Sequence, residues 1–158
     1  MKNNIEIYTD GSSLGNPGPG GWGAVFVEDT KIVHELGGCD KDTTNNRMEV
    51  TVVIETLKYI NKNYKEDSIT IFSDSNYVLS GITSWIFNWE KNGWRTANKK
   101  EVMNQDLWKE FISLVRECKT KINWQKVKGH SGHVYNDKAD EIATTCAAKQ
   151  IEINLNTK

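Results

Sequence analysis

Alternation of apolar and polar positions predicts five β-strands in this chain. The first carries Ile5 and Ile7 between polar neighbours and runs into a glycine-rich loop. The second and third follow after short gaps, which predicts an antiparallel meander ending at the Gly37-Gly38 pair. The predicted strands are residues 5–11, 22–27, 31–36, 68–74 and 122–127.

Segments in which apolar residues recur with a helical period connect the later strands. The most apolar helix begins at Thr43 or Thr44 and ends near Asn61. Apolar residues lie on two of its sides, so we expect it to be the central helix of the fold. The other predicted helices are residues 75–82, a tryptophan-rich segment to about residue 91, residues 106–118 and residues 136–149.

A meander followed by strands that alternate with helices predicts an α/β fold. We expect a five-stranded mixed sheet, with three antiparallel strands and then parallel additions, and helices on both faces. The 158 residues suit one domain, which we expect to cover residues 1–150. Residues 151–158 are polar and are expected to form a loosely held tail.

Composition excludes several classes of protein. The chain has 20 basic and 21 acidic residues and a net charge of -1, so attraction to nucleic acid must come from a local patch. No apolar run is long enough for a membrane span, and no signal peptide is recognisable. Three widely spaced cysteines suggest reduced thiols in a cytosolic protein, so we expect a cytoplasmic location.

Two predicted strands end in an acidic residue. Asp10 and Asp74 each stand where a strand gives way to Gly or Ser, so neighbouring strands would bring the two carboxylates together. The alternative is that each acid caps a turn or the next helix.

Helix geometry indicates two more acids. Glu49 and Asp140 lie about 90° from the centre of the apolar stripe of their helices, at the border between core and solvent. Asp137 and Glu141 point away from the core on the same construction, and Asp137 suits the helix N-terminus. An equally good interpretation is that the Glu49 side chain caps its own helix by pairing with Asn46.

Convergence of the four acids would restrict the chemistry of the site. Clustered carboxylates repel one another and are stable as ions around hard divalent cations such as Mg²⁺ or Mn²⁺. Two such ions can activate water and stabilise the leaving oxygen in phosphodiester hydrolysis.

Two other motifs match known binding sites poorly. Residues 18–23 match GxGxxG, but a strand follows where a dinucleotide site needs a helix. His130 and His133, with Cys118 or Cys146, have a spacing that fits no closed zinc site. His130 lies between flexible residues and suits a proton shuttle or a role in product release, although a surface histidine is the simpler reading.

Aromatic and basic residues are interleaved in residues 85–100. Tryptophans at helical spacing are consistent with core packing, but nearby cations are also what a nucleic-acid backbone requires. The candidate contacts are Trp85, Trp89, Lys91, Trp94, Arg95, Lys99 and Lys100. Amide side chains next to the proposed carboxylates, at Asn16, Asn45, Asn46 and Asn76, are able to donate to base edges or 2′-hydroxyls.

These motifs together resemble type 1 ribonuclease H of the bacterial kind. The resemblance runs from residue 5 to about residue 148. It rests on Tyr8-Thr9-Asp10-Gly11-Ser12 with the glycine-rich loop, Thr44-Asn45-Asn46-Arg47-Met48-Glu49, Asp74-Ser75-Asn76-Tyr77-Val78, Val127-Lys128-Gly129-His130, and Asp140-Glu141 in the last helix.

The resemblance implies an endoribonuclease that hydrolyses the RNA strand of RNA/DNA hybrids with two Mg²⁺ or Mn²⁺ ions. It implies metal ligation by Asp10, Glu49, Asp74 and Asp140, and assistance by His130. It also implies hybrid contacts by Asn16, Asn45, Asn46, Ser75 and Asn76, and a basic protrusion at residues 85–100 that grips the DNA strand.

Alternatives to this hypothesis remain open. One is a catalytically silent nucleic-acid-binding module of the same fold, since the basic segment is separable from the acids. Another is a related metal-dependent nuclease that acts on DNA, such as an integrase-like enzyme. In each case we expect a monomer that is not bound to a membrane.

Overall fold

A computed structural model describes residues 4–65, 68–96, 98–127 and 134–156, with side chains described to residue 149. The strands are β1 (Asn4–Ser13), β2 (Gly18–Glu28), β3 (Lys31–Thr43), β4 (Ser68–Ser73) and β5 (Ile122–Lys126). The helices are α1 (Asn45–Asn63), α2 (Asn76–Ser80), α3 (Ile86–Lys91), α4 (Gln105–Glu117) and α5 (Val134–Asn156), with a π-helical turn at Gly81–Trp85. Among these described helices, none has the length and apolarity that a membrane crossing requires.

The five strands form one mixed sheet in the order β3-β2-β1-β4-β5. β1 pairs antiparallel with β2 and parallel with β4, and β4 pairs parallel with β5. The alternation at the start of β1 reflects one exposed face, because Ile5 and Ile7 are buried whereas Asn4 and Glu6 are exposed; from Tyr8 to Gly11 the strand is buried throughout. The predicted fold class is confirmed.

Helices cover both faces of the sheet. Ile5 and Ile7 of β1 lie in the larger core cluster with α1, whereas Tyr8 packs with Ala139 of α5 on the opposite face. This division follows from the period of two along a strand. α1 also contacts α4, so it is covered on two sides, as its two apolar faces predict.

The meander strands are longer than the sequence pattern predicts. β3 does not end at Gly37-Gly38 but continues to Thr43, and β2 begins at Gly18. In the β2–β3 ladder Trp22 pairs with Gly38, and a Cβ on Gly38 would lie 2.6 Å from the indole of Trp22. This glycine makes room for a ring that covers it, so the prediction that the pair ends the strand was wrong.

The last helix is also longer than predicted. α5 continues to Asn156, so residues 151–156 are helical, and the loose attachment expected of this tail stays a prediction. Residues 150–156 contain no glycine or proline that would end the helix. The division into a domain of residues 1–150 and a tail stays a prediction.

Two of the three cysteines are paired. The structure joins Cys39 of β3 and Cys146 of α5 in a disulfide with Cα atoms 5.4 Å apart, and Cys118 is free. The expectation of three reduced thiols was therefore wrong, because the fold brings together two residues 107 positions apart. The cysteines consequently give no support for a cytosolic location.

Candidate active site

Two acids reach the same edge of the sheet through the pairing of β1 and β4. Tyr8 of β1 pairs with Phe72 of β4 in parallel register, so Asp10 and Asp74 both lie two residues beyond one pair. Asp10 is 8% exposed, whereas Asp74 is open to solvent. The sequence pattern predicts that β1 ends beside Asp10, but the strand continues to Ser13 in its pairing with β2; it is the parallel ladder with β4 that ends before the two acids.

Glu49 enters the site from the first turns of α1. The side chain of Thr44 caps this helix by accepting a hydrogen bond from the backbone N–H of Arg47 at 3.2 Å. The Glu49 carboxylate, 3% exposed, accepts a hydrogen bond from the backbone N–H of Gly11 instead of capping its own helix. The alternative of a capping pair with Asn46 was therefore wrong.

Gly11 allows α1 to approach β1 closely. A Cβ at this position would lie 2.4 Å from the backbone nitrogen of Glu49 and 2.4 Å from the carbonyl carbon of Met48. Backbone atoms cannot move aside as a side-chain end can, so this contact requires glycine. The resulting proximity places the Glu49 carboxylate beside Asp10.

Asp140 reaches the cluster because α5 lies very near β2. A Cβ on Gly23, the residue paired with Asp10, would lie 2.7 Å from the carbonyl oxygen of Ala139, and one on Gly21 would lie 2.2 Å from that of Ala143. These glycines let α5 pack directly on the strand. Asp140 follows Ala139 and hydrogen-bonds with the side chain of Asp10.

The four carboxylates share one open cavity of about 450 Å³. One oxygen each from Asp10, Glu49 and Asp74 lie within 4.8 Å of one another, and Asp140 lines the same cavity. The described residues that line it are Asp10, Gly11, Ser12, Asn45, Asn46, Glu49, Asp74, Ser75, Asn76, Tyr77 and Asp140. Among the described residues that form this lining, there is no basic side chain that could neutralise the acids.

Burial and mutual repulsion change the protonation of the cluster. Burial, a hydrogen bond with Asp140 and the charges of Asp74 and Asp140 raise the pKa of Asp10 to about 8. Burial and the charges of Asp10 and Asp74 raise the pKa of Glu49 well above its usual range. Without a cation the cluster retains protons near neutral pH, whereas a hard divalent cation would favour the ionised form. The all-oxygen donor set therefore fits such a cation.

The predicted polar contacts divide into two groups. Asn45, Asn46, Ser75 and Asn76 line the cavity beside the acids. Asn16 lies in the turn that joins β1 to β2, where its peptide bond to Pro17 is cis, and is not part of the cavity lining. His130 lies outside the described residues, so its predicted role stays a prediction.

The RNase H family model matches residues 2–148 of the chain. The chain belongs to the RNase H family. A protein named Ribonuclease H from Francisella philomiragia subsp. philomiragia is 49% identical over 148 residues, which cover 94% of this chain and 93% of that protein. The predicted family is confirmed. Members of the RNase H family depend on metal, and the acidic cluster at Asp10, Glu49 and Asp74 could bind it.

Solved structures show the same fold. LC9-RNase H1, described as a type 1 RNase H with the type 2 active-site motif, is 31% identical and aligns with a TM-score of 0.81 over 95% of this chain and 74% of that chain. LC11-RNase H1 in complex with an RNA/DNA hybrid has a TM-score of 0.72 over 93% of this chain and 99% of that chain. At 21% identity the second likeness supports the fold only.

In this RNase H family member, a group of aromatic rings lies at the foot of the predicted basic protrusion. Tyr77, Trp85, Trp89 and Trp108 form a chain of ring contacts with centroids 5.6 to 5.9 Å apart. Trp85 is 39% exposed, and Trp89 is half-buried. Core packing therefore explains part of the tryptophan pattern, while Trp85 keeps an accessible face.

The basic side chains of the protrusion lie beyond this group of aromatic rings. Asn92, Arg95, Thr96 and Lys99 line an open cavity of about 570 Å³. Lys91 and Lys100 are exposed, and Trp94 is half-buried with the ammonium of Lys109 5.6 Å from its ring. Glu90 forms an ion pair with Arg116 of α4 at 2.5 Å, so its charge is balanced outside the basic segment.

A hydrogen-bond network that sequence reasoning missed joins Tyr77 of the cavity lining to α1 and α4. The hydroxyl of Tyr77 accepts hydrogen bonds from Asn104 Nδ2 at 3.0 Å and from Trp108 Nε1 at 3.1 Å. Asn104 Oδ1 in turn accepts one from Arg47 at 3.2 Å, and Arg47 pairs with Asp106. Only the position of Tyr77, directly after Ser75 and Asn76, could have suggested its place beside the cavity.

Proposed function

We propose that this chain is an endoribonuclease that hydrolyses the RNA strand of RNA/DNA hybrids. The observation that carries the proposal is the single cavity in which Asp10, Glu49, Asp74 and Asp140 converge. Membership of the RNase H family and the high identity to a protein named Ribonuclease H support the same activity. The RNA/DNA hybrid is accordingly the proposed partner.

The proposed cofactor is Mg²⁺, bound as two ions, with Mn²⁺ as a substitute. Asp10, Glu49, Asp74 and Asp140 would hold the ions, because they are the carboxylates of the cavity. Held by these carboxylates, such ions would supply activation of a water molecule and charge stabilisation of the leaving oxygen in phosphodiester hydrolysis. With this chemistry the chain needs no covalent nucleophile.

The polar residues beside the acids would orient the substrate. Asn45, Asn46, Ser75 and Asn76 offer hydrogen-bond donors along the same cavity, which suits recognition of 2′-hydroxyls and base edges. Such contacts hold the scissile phosphate near the acids and distinguish RNA from DNA. Asn16 would contact the hybrid outside the cavity, and His130 would assist proton transfer or product release.

The protrusion would bind the DNA strand. Its exposed cations, Lys91, Arg95, Lys99 and Lys100, suit contacts to phosphates, and Trp85, Trp89 and Trp94 offer aromatic surface. One chain provides the whole acidic cavity, which supports a monomer. We place the enzyme in the cytoplasm, because hybrid substrates arise where DNA is replicated and transcribed.

A matched pair of variants tests the activity. Labelled RNA/DNA hybrid is incubated with the wild type, Asp140→Asn and Asp137→Asn at several Mg²⁺ and Mn²⁺ concentrations. Both variants remove one carboxylate from α5, but only Asp140 lines the cavity. We expect Asp140→Asn to lose about 100-fold or more of kcat and Asp137→Asn to remain near wild type. Equal activity of all three proteins would reject the assignment.

The second candidate function is a catalytically silent nucleic-acid-binding module, because the basic segment lies apart from the acidic cavity. That candidate predicts tight hybrid binding without cleavage in either metal. Parallel assays with double-stranded DNA and double-stranded RNA address an enzyme of different specificity. Cleavage confined to the RNA strand of the hybrid supports the proposal, and cleavage of double-stranded DNA contradicts it.

A further inference from the structure

A basic residue, Lys126, contacts the lining of the acidic cavity. Lys126 is the last residue of β5 and pairs in the sheet with Ser73, the residue before Asp74. Its ammonium group donates a hydrogen bond to Oδ1 of Asn76 at 2.6 Å. Asn76 is the first residue of α2 and lines the cavity, whereas Lys126 is not part of the lining.

The chemistry of this contact fixes the orientation of the Asn76 amide. A lysine ammonium has three donors and no acceptor, so only the carbonyl oxygen of Asn76 can face it. The amide NH₂ of Asn76 is thereby left for other partners. An asparagine held in this way presents donors to a ligand, whereas a free asparagine can rotate and present its oxygen as well.

Charge strengthens the constraint. The bond is charge-assisted and short, which makes it stronger than a bond between two neutral groups. Both side chains are exposed in the free protein, so their contact is screened by water until a substrate covers the cavity. When the substrate covers Lys126 and Asn76, an Asn76 amide that is already oriented would contribute more to the affinity for substrate.

We propose that Lys126 is a positioning residue that holds Asn76 as a hydrogen-bond donor to the substrate strand. The acceptors that fit are a 2′-oxygen of ribose or an acceptor atom on the minor-groove edge of a base. This inference rests on the proposed function, because it assigns the recognition step at the same cavity. Lys126 does not need to touch the reacting atoms.

A double-mutant cycle tests the proposal in steady-state cleavage of a hybrid. The proteins are the wild type, Lys126→Met, Asn76→Ala and the double variant. We expect Lys126→Met to raise KM about 3- to 10-fold with little change in kcat. In the Asn76→Ala background the same substitution should change KM less than 2-fold, since the amide that Lys126 positions is gone.

Two further variants sharpen the cycle. Lys126→Arg keeps a donor-only cation and should restore most of the wild-type KM, which a purely structural role of the methylene chain would not explain. Lys31→Met makes the same charge change at the distant β2–β3 hairpin and should leave KM unchanged. A loss from Lys126→Met that is equally large in both Asn76 backgrounds would overturn the proposal and indicate a direct phosphate contact.

Binding measurements separate this inference from the proposed activity. The same cycle is repeated in the Asp10→Asn background, with fluorescence anisotropy of a labelled hybrid in place of cleavage. A wild type that binds hybrid but never cleaves it would reject the proposed function, while the binding cycle still decides the role of Lys126. Additive effects of the two substitutions on binding would overturn the positioning role.

Discussion

The backbone N–H of Gly11 donates a hydrogen bond to the carboxylate of Glu49, and this contact joins the centre of the sheet to its main helix. Asp10 precedes Gly11 and lies on the α5 side of β1, whereas Gly11 faces α1. One dipeptide thus brings together acids from opposite faces of the sheet. The acidic cluster depends on how closely α1 and α5 approach this strand.

Substitution of Gly11 by Ala should therefore disrupt the site. The added Cβ would lie 2.4 Å from the backbone of α1, so the helix must shift and the Glu49 carboxylate must move with it. We expect a loss of about 1–3 kcal/mol in the free energy of unfolding and at least a 10-fold drop in kcat, measured by urea unfolding and hybrid cleavage. Ser13→Ala, in the same strand, should change both quantities little. Normal activity of Gly11→Ala would show that the contact is dispensable.

The cluster of acids should destabilise the metal-free protein as pH rises. The pKa of Asp10 is raised from its ordinary value of 3.8 to about 8, so the folded state holds a proton that the unfolded state releases. Stability from this group is therefore complete below about pH 4 and falls as pH increases to about 8. Asp10→Asn remains neutral throughout and should escape this loss.

Urea unfolding in EDTA measures the effect. We expect Asp10→Asn to exceed the wild type in unfolding free energy by about 1–3 kcal/mol at pH 8 and by little at pH 4. Addition of Mg²⁺ should stabilise the wild type more than the variant, because ligation favours the ionised carboxylates. A variant less stable than the wild type at pH 8 would contradict the electrostatic account.

Local patterns identified the strand-end acids and the helix faces of the site. Asp74 could be predicted because strand alternation locates the end of β4, whereas Asp10 follows the end of the parallel ladder although β1 itself continues to Ser13. The angular position of Asp140 on its helix distinguished it from Asp137 for a similar reason. In each case a short segment contains the information.

Contacts between distant segments could not be predicted in the same way. The Cys39–Cys146 pair and the Lys126–Asn76 bond depend on which residues face each other across elements, which no local period encodes. Gly38 was misread because a glycine under the ring of Trp22 has the same sequence signal as one that ends a strand.

Reduction of the Cys39–Cys146 disulfide should lower stability. The bond closes a long loop between β3 and α5, and breaking it restores chain entropy to the unfolded state. We expect dithiothreitol, or Cys146→Ser, to reduce the unfolding free energy by about 2–4 kcal/mol. Cys118→Ser removes the free thiol and serves as the control, whose response to the reductant should match that of the wild type. Equal stability with and without reductant would contradict a stabilising bond.

Salt dependence should reveal the phosphate contacts of the protrusion. Lys99 lines its open cavity, whereas Lys62 lies in the last turn of α1. Each phosphate contact releases a counterion, so Lys99→Gln should weaken hybrid binding and reduce the slope of log Kd against log salt by about 0.7–0.9. Lys62→Gln removes the same charge and should leave the slope unchanged. Fluorescence anisotropy from 50 to 300 mM salt measures both slopes, and equal reductions in the two variants would mean that net charge, not a local contact, drives binding.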